Sequence, residues 1–319
     1  MSKTALLALN DKTQRWEATY GGRVLVSSPN KKYVGDVITK GLNQKAAALG
    51  VTKVEELGGT HTGEDAVPLI EFNVNERFQF LEDTIDMVAA RQMKSAVVVG
   101  EGGLGKSYTV FDRIKRAGMT DIHKMDPGSF LDESNSRSTF ITMKGHQSPK
   151  NMYRTLYENR GRLVIFDDCD SVLFEEKSAN VLKAALDSYD ERWVNWGVEN
   201  NDEDGLPNRF LFTGGVIFIS NKPMHKMPQA ILSRSACADV SMTRTEIVQR
   251  MRQIVAKGEF LEDEKMSIKN EALDFIAEHA TNHQIKAINL RTLITVVTNR
   301  RCMPERWKRL SLSMMIAAR

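Results

Sequence analysis

The sequence predicts an α/β fold in which a five-stranded parallel sheet lies between helices, followed by a small helical lid. Three observations carry that expectation. Short apolar, β-branched runs at 96–99, 163–166 and 216–219 each end in glycine or polar residues, as buried parallel strands do. The glycine-rich stretch Gly100–Ser107 joins the first run to a helical pattern over Tyr108–Ala117. Beyond residue 243 the apolar spacing is helical, over Glu246–Lys257, Asn270–Ala280, Asn289–Arg300 and Pro304–Ala318.

At 319 residues, 41% hydrophobic and 27% charged, the chain can bury a sizeable core. No apolar stretch is long enough for a membrane span, and Met1–Asn10 is too weak for a signal peptide. A cytoplasmic location is expected. Cys169, Cys237 and Cys302 are widely spaced without a metal-ligand pattern, which suits a reducing compartment. Cys169 and Cys237 are expected in the core. The net charge is only +3, but it is uneven. Residues 1–60 carry 9 Lys/Arg against 5 Asp/Glu, residues 167–204 carry 12 acidic against 3 basic, and residues 286–319 carry 8 basic against 1 acidic. Two basic ends around an acidic middle suit nucleic-acid contact, complementary subunit packing or solvated helix faces.

Taken in order, residues 1–68 read as an accessory region or arm. Strand-like pieces at Trp16–Tyr20 and Arg23–Ser27 flank the turn signal Gly21-Gly22, and Val37–Leu49 reads as one helix. Gly58–Asp65, which includes His61, is a polar linker. Glu76–Met93 is an amphipathic helix with Phe78, Leu81, Ile85 and Val88 on one side.

The strand–turn–helix around Gly100–Ser107 then matches G-x-x-x-x-G-K-[ST], a phosphate-binding loop. Backbone N–H groups of Gly100, Glu101, Gly102, Gly103, Leu104 and Gly105 can converge on phosphates, and Tyr108 follows at the opening of the helix. Lys106 would reach the β- and γ-phosphates, and the Ser107 hydroxyl would ligate Mg²⁺. These features predict a site for ATP and Mg²⁺.

Gly118–Asn135 is irregular, with Asp126-Pro127-Gly128 as a turn. Thr139–Met143 is the second strand, followed by the loop Lys144–Ser148 and a helix over Asn151–Glu158. Leu163–Asp168 puts two acids at a strand's carboxyl end, where open α/β sheets bind ligands. Asp167 is expected to hold Mg²⁺, usually through water, and Asp168 to orient or deprotonate the attacking water, with Asp170 in reserve. Ala179–Tyr189 is helical. Arg192–Val198 and Arg209–Thr213 form a hairpin whose tip carries Glu199, Asp202, Glu203 and Asp204. Val216–Ser220 is the fourth strand, ending at Asn221, and Ala236–Met242 is the fifth.

This order resembles the AAA+ ATPase superfamily over residues 76–301. The resemblance implies a core over 69–243 and a helical lid over 244–319. It also implies roles for Asn221 as sensor one, Arg234 as an arginine finger reaching a neighbouring subunit, and Arg291 as sensor two. Arg244 competes for the finger. Asp168 stands where the family usually has Glu, and its side chain is one methylene shorter, so binding is expected ahead of fast turnover. The hairpin looks like the pre-sensor insertion of viral replicative helicases, and the overall texture is similar to bacteriophage-encoded ATPases. A bacteriophage origin would make the location a host cytoplasm.

The resemblance implies a homo-oligomeric ring, expected to be a hexamer, acting on nucleic acid. In such a ring Lys144, with His146 beside it, would face DNA from the central pore, or would pair with an acidic neighbour such as the hairpin tip at Asp202–Asp204 and hold the pore closed. The alternatives are a remodeller of protein clients and an ATP-dependent assembly switch with little turnover. The loop Lys144-Gly145-His146-Gln147 lacks the aromatic grip expected for threading polypeptide.

Overall fold

A computed structural model describes residues 3–10, 15–21, 23–28, 30–56, 72–125, 133–197, 205–258, 260–286 and 288–316. The expected linker 58–65 with His61, the turn 126–128, the hairpin tip 199–204 and Gly22 of the Gly21-Gly22 turn lie outside them. The chain divides into two compact units, Met1–Glu71 and Phe72–Arg319.

In the first unit, β1 (Lys3–Asn10), β2 (Arg15–Tyr20) and β3 (Arg23–Ser28) form an antiparallel meander. Helices α1 (Lys31–Thr39) and α2 (Gln44–Leu49) lead to β4 (Val51–Glu56), which returns parallel to β1. The sheet order is β3-β2-β1-β4, over a core of Ala5, Leu7, Ala18, Val34, Ile38 and Ala46. Two helices replace the single one expected over Val37–Leu49. Gly41 breaks the run in the left-handed region (φ 65°), and Asn43 recaps it by accepting from the Ala46 N–H.

The second unit opens with α3 (Val74–Ala89), whose Phe78, Leu81, Ile85 and Val88 are all buried. Burying each stabilises the fold by about 1.5–3 kcal/mol. The Asn73–Glu76 capping box starts this helix. Next come β5 (Ser95–Val99), α4 (Lys106–Arg116), β6 (Thr120–Asp121), β7 (Thr139–Lys144), α5 (Pro149–Glu158) and β8 (Leu163–Asp167). Helices α6 (Asp170–Phe174) and α7 (Glu176–Ala185) precede the antiparallel pair β9 (Trp193–Asn195) and β10 (Arg209–Leu211). Then follow β11 (Gly215–Ser220), α8 (Gln229–Leu232) and β12 (Ala236–Asp239). The C-terminal segment, expected to be a lid, contains α9 (Arg244–Ala256), α10 (Met266–His279), α11 (Leu290–Cys302) and α12 (Trp307–Met315).

The central sheet is parallel, in the order β12-β5-β11-β8-β7-β6. It has six strands rather than five. The extra strand, β6, is a two-residue edge piece holding Thr120 and Asp121, too short and too polar to leave an apolar run. Successive residues of the inner strands alternate between two cores. Ala96, Val98, Ile165, Ile217 and Ile219 join α3, α4 and the lid helices in one of them. Val97, Val99, Val164, Phe166, Val216 and Phe218 join α5, α7 and the hairpin in the other. The hairpin is anchored by Tyr153 of α5, whose ring packs on Trp196 and Phe210. Cys169 is buried and its thiol is pushed up to about 11 by burial, so it stays protonated. Cys237 is exposed, against expectation, because β12 is the sheet's edge and only its Ala238 is covered.

Candidate functional site

Strand order places the polar ends of β5, β8 and β11 side by side. Because β11 lies between β5 and β8, Asn221, just past its end, stands between the phosphate loop and the acid pair. Lys106, buried at the start of α4, donates to Asn221 Oδ1 at 2.9 Å and to the carbonyls of Gly100 and Glu101 at 2.7 and 2.8 Å. Asn221 Nδ2 in turn donates to Asp168 Oδ1 at 2.7 Å. Burial lowers the Lys106 pKa, against the opposing pull of Asp168, Glu101 and Asp167. Asp168 is exposed at the cleft and held at φ 55°, with its N–H donating to the Ile219 carbonyl at 3.0 Å. Asp170 is turned away: its Oδ1 accepts from Ser220 Oγ at 2.6 Å.

Asp167 is buried, and its Oδ1 accepts from Ser107 Oγ at 2.8 Å. A hydroxyl and a carboxylate in contact are hard oxygen ligands of the kind Mg²⁺ takes, with substrate phosphates and waters completing its shell. That donor set fits the metal. No cluster of three or more His, Cys, Asp or Glu that could hold a metal occurs among the described residues.

The second carboxylate oxygen has a different partner. Lys144 lies opposite Asp167 in the parallel register of β7 and β8, and its Nζ is 3.1 Å from Asp167 Oδ2. Lys144 thus has an acidic partner, as one of the two expectations held, but that partner is Asp167: in-register neighbours on adjacent strands share a face, and the ammonium turns to the carboxylate.

A cleft of about 520 Å³ runs from these residues to the lid. Lys106, Ser107, Tyr108, Asp168, Asn221 and Arg291 line it, together with the apolar Phe78, Ile254, Phe260, Leu261 and Ile294 and the charged Glu82, Arg113, Arg116, Arg250 and Lys257. Arg250 lies over the Phe78 ring, 4.1 Å from its centroid. Neither Phe78 nor Arg250 was legible as a site residue, because each falls in an ordinary amphipathic pattern.

Two of the arginines separate clearly. Arg234 is exposed, and its guanidinium donates to the Ala230 carbonyl at 3.0 Å. Its own carbonyl accepts from Ser95 Oγ at 3.0 Å, at the start of β5. The five residues of β5 separate that point from the phosphate loop, about 16 Å of strand. Arg234 thus lies outside its own chain's cleft. Arg244 is removed as a competitor, since its guanidinium donates to the carbonyls of Ala280, Asn282 and Ile285 at 2.8–3.1 Å.

A residue that motif reading missed joins the lid to the loop. Asn289, the N-cap of α11, donates from Nδ2 to the Gly102 carbonyl at 3.1 Å, and the next N–H, of Leu290, donates to the Gly103 carbonyl at 3.0 Å. The Asn289-x-x-Thr292 capping pattern was its only sequence signal. Gly103 has φ 80°, and a Cβ there would come within 2.7 Å of the Asn289 side chain. Gly118 has nearly the same φ, 78°, with nothing within 4 Å of a Cβ. Gly118→Ala should therefore lose only the backbone strain, about 1–2 kcal/mol, whereas Gly103→Ala should lose that and the lid contact. Chemical denaturation of both variants checks this, and equal losses would mean the Asn289 contact contributes nothing.

The fold and the loop together define an α/β core of the phosphate-loop type. No protein-family model matches the chain. Over 259 residues it is 24% identical to the "Uncharacterized 36.7 kDa protein in nrdC-mobD intergenic region" of Enterobacteria phage T4, covering 76% of this chain and 72% of that protein. Among solved structures it is similar to the FIGL-1 AAA domain in complex with ADP, at a TM-score of 0.36 and 12% identity over 74% of each chain. Among the described residues, no helix is long and apolar enough to cross a membrane.

Proposed function

We propose that this chain is a Mg²⁺-dependent ATP hydrolase of the AAA+ kind, working as a homo-oligomeric ring with nucleotide bound where subunits meet. One observation carries the reading: Lys106, Asn221 and Asp168 form a hydrogen-bonded line beside the Ser107–Asp167 pair, at the mouth of one cleft. Loop N–H groups and Lys106 would hold the phosphates, and the rest of the nucleotide would lie along the cleft toward its apolar side chains. Ser107 and Asp167 would hold Mg²⁺, which when bound neutralises charge on the phosphate oxygens. Asp168 would accept the proton of the attacking water, with Asn221 fixing its carboxylate. Arg291, opening the lid face of the cleft, would meet the phosphates from the other side.

The ring part of the proposal rests on Arg234, which lies too far from its own loop to serve it. As a finger supplied in trans, it completes a neighbour's site. Arg234→Ala should bind ATP yet hydrolyse it poorly. Mixing it with Lys106→Ala should restore part of the turnover, because some interfaces then hold one intact loop and one intact finger. No rescue, together with wild-type turnover independent of protein concentration, would favour a monomeric enzyme.

DNA is the proposed client, supported by the hairpin's outer face, where Arg209 stacks over the half-exposed Trp193, 4.8 Å from the ring centroid. The basic end at 286–319 supports it less than its charge suggests, since Arg300 and Arg301 pair with Glu271 and Glu264. ATP turnover with and without single-stranded DNA, duplex DNA and RNA, at stated salt, tests the client. Absence of any nucleic-acid affinity at low salt would make a protein client the better reading.

A further inference from the structure

Asp167 has two oxygens and both are occupied: Oδ1 by the Ser107 hydroxyl at 2.8 Å and Oδ2 by the Lys144 ammonium at 3.1 Å. The acids beside it in sequence are committed elsewhere, Asp168 to Asn221 and Asp170 to Ser220. A metal held by Ser107 and Asp167 therefore meets a cation already seated on the carboxylate. The two partners differ in freedom. The Asp167 side chain is 6% exposed and fixed at the end of a central strand, whereas that of Lys144 is 68% exposed on a flexible stem. Of the two, only the ammonium can move into solvent, because its carboxylate partner is buried and it is not.

Lys144 also opens the loop after β7, whose far end is separately fixed. The Gln147 N–H donates to Ser171 Oγ at 3.0 Å, and that hydroxyl donates back to the Gln147 carbonyl at 3.3 Å. The lysine can thus leave Asp167 without unseating the loop.

We infer that Lys144 is a resident counter-ion of the metal-binding carboxylate, displaced when metal and nucleotide load together. It neutralises a buried charge while the site is empty and raises the metal concentration that loading requires. The inference rests on the proposed nucleotide site, and the test separates the two. Binding of a fluorescent ATP analogue is measured first in EDTA and then across a Mg²⁺ titration, for wild type, Lys144→Met, Lys144→Gln and Lys144→Arg.

Removing the competing charge should lower the half-saturating Mg²⁺ about fivefold in the Met and Gln variants, the scale of a largely exposed ion pair. Lys144→Arg, which keeps the charge, should stay within about twofold of wild type by the same reasoning. An unchanged or raised midpoint in both neutral variants, with analogue binding intact and dependent on Lys106, would overturn the counter-ion role alone. Absence of analogue binding with and without metal in every protein would overturn the nucleotide site and this role with it.

Discussion

Lys106→Ala should weaken ATP binding by at least about 30-fold, because truncating one partner of a desolvated, hydrogen-bonded charge pair costs about 2–5 kcal/mol. The phosphates lose the one ammonium that the loop buries, and no other lysine within hydrogen-bond reach of Asn221 takes its place among the described residues. The variant should nevertheless fold. In the absence of nucleotide, Lys106 bonds two loop carbonyls and Asn221, and its removal also relieves the burial that lowers its pKa. Titration with a fluorescent nucleotide, alongside a far-UV melt, reads both effects. Wild-type affinity in a folded variant would sink the phosphate-loop assignment.

Asp168→Asn should leave nucleotide binding within a few-fold of wild type and slow turnover by about 10²–10⁴, the range lost with a general base. Asparagine is the informative substitution here. Residue 168 sits at φ 55°, a conformation that Asn tolerates better than most residues, so the backbone is spared. Its carbonyl oxygen can still accept from Asn221 Nδ2, so the neighbour is spared as well. What is lost is the ability to take a proton. Steady-state turnover, with binding measured separately, isolates that loss. Asp167→Asn provides the contrast, since it should mainly weaken Mg²⁺-dependent binding. Unimpaired turnover in Asp168→Asn would move the base elsewhere.

Much of the fold was legible because buried parallel strands cannot hide. β5, β8 and β11 are covered on both faces, so every residue of each is buried, and the apolar run is the strand itself. The phosphate loop was legible for a related reason: a backbone cradle for anions needs glycine at set positions whatever surrounds it. Edge pieces were not legible. β6 is covered so little that its sequence is that of a turn, and Cys237 on β12 looked like core only because its edge position was hidden.

The sequence by itself determined the glycine-rich turn and the acid strand, and pointed to Lys106, Ser107, Asp167 and Asp168 because each is tied to a short local pattern; Asn221 followed only from its place in the order of strands. Tertiary structure alone decided how those residues pair. The order β5-β11-β8 sets Asn221 between Lys106 and Asp168, and the β7–β8 register chooses Asp167 as the acidic partner of Lys144. Packing of α11 against the loop turned an ordinary helix cap, Asn289, into a clasp on Gly102. Arg234 and Arg244, alike in sequence, were separated only by what their guanidinium groups reach. The physical reason is common to all of them. Local patterns specify strands, turns and helices, but hydrogen bonds and ion pairs between elements depend on strand order and register, which no single segment encodes.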